Sequence, residues 1–355
     1  MTLSPTDTEG VSEAVPPLAY GCAVDDLTPS SPTGDETPAL TLSPAQQDVL
    51  ELLRRPPGRV LTFDADLRHQ LRVELEEGVA EALGDLPDGQ ELFVSKSSLA
   101  AVFGCEARFL HEDGFGGWTP AMARGTVAHR AIELSTSWRG ASTPTLLVDV
   151  AIERLIDEGY GVGSWLTEAD QADLAEVRGM SVERVTTFEE CFPPLQPEWR
   201  PKPESKVKAY LAGGRVVLQG KVDLTIGVAK GLEARKVLLD LKTGSFHAHH
   251  RDDLRFYALL ETLKLGTPPR LLGTYELDAG VLHREDVTLD VLVSAVRRTI
   301  DGVIRLVQLR HGGDEVTPTL RPGGLCRFCD LADSCDAGKE WLRKADESAG
   351  ELLDL

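Results

Sequence analysis

Arg215-Val216-Val217-Leu218-Gln219-Gly220-Lys221-Val222-Asp223-Leu224-Thr225-Ile226 decides the fold together with a second run, Lys236-Val237-Leu238-Leu239-Asp240-Leu241-Lys242-Thr243-Gly244, which follows a turn region around Gly227 to Ala234. In each run apolar and polar residues alternate with the period of two that a β-strand imposes on its side chains. The pattern predicts Val216, Leu218, Val222 and Leu224 on one face of the first strand, with Val217, Gln219, Lys221 and Asp223 on the other. On the second strand Val237, Leu239 and Leu241 oppose Leu238, Asp240 and Lys242. If the two strands pair as a hairpin, Asp223, Asp240 and Lys242 converge on one spot.

That convergence has a chemical meaning. Two carboxylates a few ångströms apart need a compensating charge, and a divalent cation is the usual partner. Mg2+ or Mn2+ held by Asp223 and Asp240 would activate a water and offset charge building on a phosphorus atom. Lys242 would orient that water or stabilise the developing charge. His129, in the helical stretch Gly125-Thr126-Val127-Ala128-His129-Arg130-Ala131-Ile132-Glu133, could add an imidazole ligand and favour Mn2+. Glu133, one turn further on, and Glu204 rank second as ligands. A helix is predicted over 252–264, with Leu254, Ala258 and Glu261 on one stripe and Tyr257 beside it. Between Gly244 and that helix, His247, His249 and His250 read as a loop-borne polar lid near Arg251 and Arg255.

Working outward, Cys105 stands alone and Cys326, Cys329 and Cys335 arrive together as C-x2-C-x5-C, so the four bracket this segment. Disulfides are rare in a reducing cytosol, and clustered thiols there suggest metal ligation. Four thiolates could hold zinc or an iron-sulfur cluster, and spacing alone leaves both open. Tying Cys105 to Cys326 closes a loop of about 220 residues, worth about 5 kcal/mol on the disulfide chain-entropy scale, which makes the clasp structural in character. Cys22 and Cys191 lack such company and read as incidental thiols.

The chain has 355 residues and a net charge of −20, which would argue against a phosphate-rich partner if charge were evenly spread. It is not. The first 50 residues hold eight acids and no Lys or Arg, whereas 201–270 hold thirteen Lys and Arg against seven acids. Local field steers a ligand into a cleft. Residues 1–40 read as a disordered acidic leader and 41–92 as a small helical or mixed segment, after which Ser97 and Ser98 can cap a helix that delivers Cys105. The main domain is expected over 93–345, with an acidic helical insertion at about 146–190, and 346–355 form an acidic tail. No apolar run is long enough to span a membrane and no basic leader precedes an apolar stretch, so the expected location is the cytoplasm. A phosphate-binding loop of the Walker A type is excluded, since Gly220-Lys221 runs into Val222 and Arg215 stands where the first glycine belongs.

Taken together, His129, the Gly-x-x-Asp ending at Asp223, the Asp-x-Lys-Thr-Gly beginning at Asp240, Tyr257 and the four cysteines resemble the RecB-like nucleases of the PD-(D/E)xK superfamily, in particular their iron-sulfur branch. That branch includes CRISPR-associated RecB-like exonucleases and the AddB-type nuclease domain. The likeness covers roughly 93–342. It implies an α/β, restriction-endonuclease-like core, a mixed central sheet flanked by helices, with a helical insertion and an iron-sulfur cap. Cys105, Cys326, Cys329 and Cys335 would hold a 4Fe-4S cluster. His129, Asp223 and Asp240 would be metal ligands, Asp223, Asp240, Lys242 and Tyr257 the catalytic set, and Tyr257 the aromatic residue of the family's Q-x-x-x-Y helix. The expected activity is metal-dependent cleavage of DNA, as an exonuclease on single strands or ends, in repair, recombination or defence. A helicase or CRISPR adaptation proteins would be partners. One position departs: Asp253 stands where the motif has glutamine, and a carboxylate there could repel phosphate. The alternative is a catalytically decayed iron-sulfur module for DNA binding or assembly.

Overall fold

A computed structural model describes residues 41–111, 117–313 and 316–353, with side chains to 348. The acidic leader at 1–40, which contains Cys22, lies outside the described residues. Six strands form one mixed sheet: β1 (Leu92–Val94), β2 (Lys202–Leu211), β3 (Val216–Ile226), β4 (Val237–Lys242), β5 (Leu271–Glu276) and β6 (Val281–Asp286). Its order is β1-β3-β4-β5-β6, with β2 antiparallel to β3 along β3's other edge. The parallel pair β4–β5 is joined by helix α9 (His249–Leu265). An α/β core with a mixed sheet flanked by helices is therefore present.

Helices cover both faces. On one, α9 packs with α2 (Leu67–Val79), α3 (Lys96–Phe103) and α10 (Leu289–His311). On the other lie α1 (Pro44–Leu53), α5 (Pro120–Ser135), α6 (Pro144–Glu158), α7 (Val162–Glu168) and α8 (Gln171–Cys191). Helix α10 shows why such layers form. Leu292, Ala295, Val296, Thr299, Val303, Leu306 and Val307 recur at helical spacing and are all buried. Each large apolar side chain so buried contributes about 2 kcal/mol. Gly302 sits where α3 crosses, because a Cβ there would come within 2.3 Å of the Leu99 Cδ2 atom.

Several expectations are corrected. The 41–92 segment does not stand apart, since Val49 and Leu53 join one core while Leu71, Leu75 and Val79 join the other. The 146–190 stretch is helical as read, continuing the layer that α5 begins. Helix α9 starts at His249 rather than 252, so His249 and His250 are helical and only His247 precedes the helix. Residues 346–353 of the acidic tail belong to α11 (Asp336–Leu353). The faces of β3 also differ from the simple alternation. Val216, Leu218 and Val222 pack into the α9 core, but Leu224 packs into the α5 core. The strand exchanges faces at Asp223. Opposite it Glu204 has a left-handed backbone (φ 48°), and the β2–β3 ladder keeps one register on both sides while skipping this pair. No helix among the described residues is long and apolar enough to cross a membrane.

The cysteine segment is fastened to this core by a buried charge. Helix α4 (Glu106–His111) starts beside Cys105, and the Glu106 carboxylate accepts hydrogen bonds from Arg305 Nε (2.9 Å), Arg305 Nη2 (2.5 Å) and the Thr319 backbone N–H (2.7 Å). Glu106 N–H in turn donates to the Thr319 carbonyl (3.1 Å). The Arg305 guanidinium, helped by Thr319, holds the Glu106 carboxyl down at about 2, against the desolvation that would raise it. A carboxylate depressed by folding contributes stability above its unfolded value, and that contribution disappears as pH falls toward the folded value. Glu106→Gln is expected to lower unfolding free energy by about 2 kcal/mol at pH 7. In denaturant titrations the gap between wild type and variant should close as pH drops below about 4.5 toward 2; a gap independent of pH would contradict this role.

Candidate active site

The site forms where β3 and β4 part. They pair at Leu224↔Leu239, Thr225↔Leu238 and Ile226↔Val237, so the next step in register would set Asp223 against Asp240. Instead the ladder opens there. On the same edge β3 pairs with β1 only at 216–218, which leaves a notch between β1 and β4. Asp223 fills one side of it: Oδ2 accepts the Leu241 N–H at 2.7 Å, taking the place of a ladder carbonyl. Its Oδ1 faces His129 Nδ1 of α5 at 3.6 Å.

Three ligand-type side chains meet here. His129, Glu204 and Asp223 each offer an atom within 4.8 Å of the others. One imidazole nitrogen with carboxylate oxygens is a donor set suited to Mn2+, and to Mg2+ through the oxygens. Burial would lower the His129 pKa, but the Asp223 carboxylate overrides it and holds the imidazole above its ordinary value. Asp223 is correspondingly held low: desolvation opposes ionisation, and the charge and hydrogen bond of His129 win. Lys221 pairs with Glu204. The cleft around these groups, about 610 Å3, also carries Arg130, Lys206, Lys242 and the exposed Tyr160. Glu133 lines it too but is engaged by Arg130 at 3.0 Å.

Asp240 is placed differently from the sequence expectation. It shares the site, yet it lies outside the ligand triple among the described residues. Its carboxylate is fully buried between two ammonium groups, Lys96 Nζ at 2.8 Å from Oδ1 and Lys242 Nζ at 2.8 Å from Oδ2. The physical reason is charge: a buried carboxylate requires immediate compensation, and the lysines supply it. Asp253 lies 3.6 Å from both lysines. Tyr257 is buried beneath Lys96, whose ammonium sits 5.2 Å from the ring centre. Burial pushes the Tyr257 phenol up to about 12. Gly220 permits this packing, since a Cβ there would meet the ring at 2.2 Å.

Lys96 is the residue that sequence reading missed. A local signal exists: it occupies the first position of α3, behind the capping box of Ser95 and Ser98, where the positive helix end disfavours a cation. Glu204 was ranked second and belongs in the triple. Of the histidines, His250 is pushed down to about 4 by burial and by Lys242, so it is neutral near pH 7. His247, His249 and His250 pack against one another, with ring centres 4.5–5.4 Å apart.

The four clasp cysteines line one cavity of about 230 Å3. Backbone N–H groups of Gly323 and Gly338 point at the sulfurs of Cys326 (3.4 Å) and Cys335 (3.3 Å).

The sequence profile of the PD-(D/E)XK nuclease superfamily matches residues 94–336, from the end of β1 to the start of α11. The chain belongs to this superfamily. PD-(D/E)XK nucleases use divalent metals, and the matched span contains the notch, the triple and all four clasp cysteines. No curated protein matches the chain in sequence. Among solved structures it is similar to SSO0001 (TM-score 0.32, 14% identity, covering 76% of this chain and 97% of that one). It is also similar to a candidate exonuclease from Eubacterium rectale (TM-score 0.37, 12% identity, 79% and 93% covered).

Proposed function

We propose that the chain is a DNA nuclease that hydrolyses phosphodiester bonds with a divalent cation held by His129, Glu204 and Asp223. The meeting of these three side chains at the β3–β4 notch carries the reading. A bound cation there would supply an activated water and neutralise charge on the phosphate. The rest falls to the chain. Arg130, Lys206 and Lys221 line the cleft and would draw the backbone of the substrate toward it. Lys242 spans the two halves of the site, lining the cleft while pairing with Asp240, and would present its ammonium to the scissile phosphate. Asp240 fixes where that ammonium points. Tyr257 supports Lys96 and, as a phenol near 12, does not serve as a base near pH 7.

Single strands or ends are the proposed substrate. The exposed Tyr160 at the cleft supports this, since an unstacked base can lie on an aromatic face. The exonuclease mode, and a setting in repair, recombination or defence beside a helicase or adaptation proteins, rest on the resemblance to RecB-like enzymes. The non-catalytic alternative drew on Asp253, but that carboxylate is paired with Lys96 and Lys242.

The cysteine cavity fits an iron-sulfur cluster. All four thiols line it, its volume exceeds what one ion requires, and N–H donors facing the sulfurs would stabilise thiolates. A 4Fe-4S cluster at Cys105, Cys326, Cys329 and Cys335 would pin the C-terminal segment beside the catalytic core.

Labelled single- and double-stranded DNA with Mn2+ tests the nuclease reading. Asp223→Ala and Lys242→Ala should each reduce cleavage by about 100-fold or more; cleavage equal to wild type would remove the mechanism. Anaerobically purified protein should be brown, absorb visible light and contain iron that Cys326→Ser loses. Colourless protein carrying zinc would overturn the cluster.

A further inference from the structure

Away from the notch, four guanidinium groups line one cavity of about 340 Å3: those of Arg55, Arg59, Arg270 and Arg284. We propose that this cavity binds a phosphate dianion, carried by a nucleotide or by the end of a nucleic acid strand, at a site separate from the cation cleft. The Arg270 N–H donates to the Lys236 carbonyl (2.7 Å), which fixes the cavity where β4 begins. Lys242 ends that strand, about 20 Å away at about 3.3 Å per residue.

The partners these arginines already have leave positive charge over. Arg55 pairs with Glu233, which Arg235 also holds at 2.5 Å, and Arg284 pairs with Asp286. Arg284 further donates to the Leu52 carbonyl (2.9 Å) and Arg270 to the Leu53 carbonyl, neutral acceptors that fix a guanidinium without cancelling its charge. Neither Arg59 nor Arg270 has an ion pair among the described residues. The four cavity arginines therefore meet two carboxylates, Glu233 and Asp286, and a phosphate monoester brings about two further negative charges near pH 7. Burial, then Arg284 and Arg55, hold the Arg270 guanidinium below its ordinary value, with Asp286 acting the other way. An anion among these groups would relieve that repulsion, and the planar arginine fork matches phosphate oxygens. Leu61, Phe63 and Val287 complete an apolar part of the lining, which strengthens charge interactions inside it. The cavity has the volume of a small-molecule site rather than of a single ion, which favours a nucleotide over free phosphate. It is also built in advance: the Ala234 N–H donates to the Leu61 carbonyl (2.8 Å), tying the segment after Arg55 and Arg59 to the core.

Isothermal titration calorimetry on the full chain without divalent cation tests this, with dAMP, deoxyadenosine and inorganic phosphate as ligands. dAMP should bind at one site, phosphate more weakly, and deoxyadenosine not at all. Arg270→Gln should weaken dAMP binding by about 10-fold or more. Because Arg270 also holds the Leu53 carbonyl, Arg59→Gln, at an exposed residue, provides a second variant that should weaken binding without disturbing the fold. Lys242→Ala, in the cation cleft, should leave dAMP affinity unchanged. Displacement of dAMP by a 5′-phosphorylated oligonucleotide but not by its unphosphorylated form would assign the site to strand ends, and displacement by neither would assign it to the free nucleotide. No dAMP binding, equal binding of deoxyadenosine or of inorganic phosphate, equal displacement by both oligonucleotides, unchanged affinity in both arginine variants, or loss of binding in Lys242→Ala would overturn the proposal.

Discussion

The opening of the ladder between β3 and β4 is the constraint on which the rest depends. Two strands that pair well at 224–226 and 237–239 stop pairing where the next residues would be Asp223 and Asp240. A backbone N–H exposed at such a fork must find an acceptor, and the Asp223 carboxylate provides it to Leu241. That one hydrogen bond seals the end of the hairpin and fixes an acid at the mouth of a notch. Glu204 is delivered to the same mouth from the opposite edge by a left-handed backbone that few non-glycine residues adopt. The left-handed backbone and the broken pairing sit together at the candidate site.

Around the notch the charges are sorted into two groups. On the α5 side, His129, Asp223 and Glu204 meet in a cleft lined by basic side chains, with Asp223 facing His129 and Glu204 paired with Lys221. On the α9 side, the charges of ammonium and carboxylate groups offset each other around Asp240. Two aspartates one step apart in register thus have different surroundings. Asp223 faces His129 and the Leu241 N–H, and Asp240 faces Lys96 and Lys242. The sheet face each occupies, together with the helix that covers that face, separates them.

Much of this was legible in the sequence, and the failures have physical causes. The β4 alternation was read as it stands, because Leu239 and Leu241 enter one core while Leu238, Asp240 and Lys242 face the other side. Asp223, Lys242 and His129, which line one cleft, stood out because their chemistry is unusual at those positions. The β3 faces were misassigned because the partner of Asp223 is Glu204, which precedes the regular alternation of its strand and is no glycine to announce a positive φ. Lys96 was passed over because a lysine beside serines looks like solvent-facing polar sequence. Only the packing of α3 beneath β4 reveals its partner 144 residues away. The cysteines were the easiest to read, since a sulfur pattern needs only proximity, which the Glu106–Arg305 anchor provides.

The central claim is that His129, Glu204 and Asp223 meet at a cation site. Anomalous scattering from a crystal of the protein grown with Mn2+ tests it most directly. A peak in coordination contact with all three side chains is the predicted result. A peak that leaves Glu204 uncoordinated would contradict it.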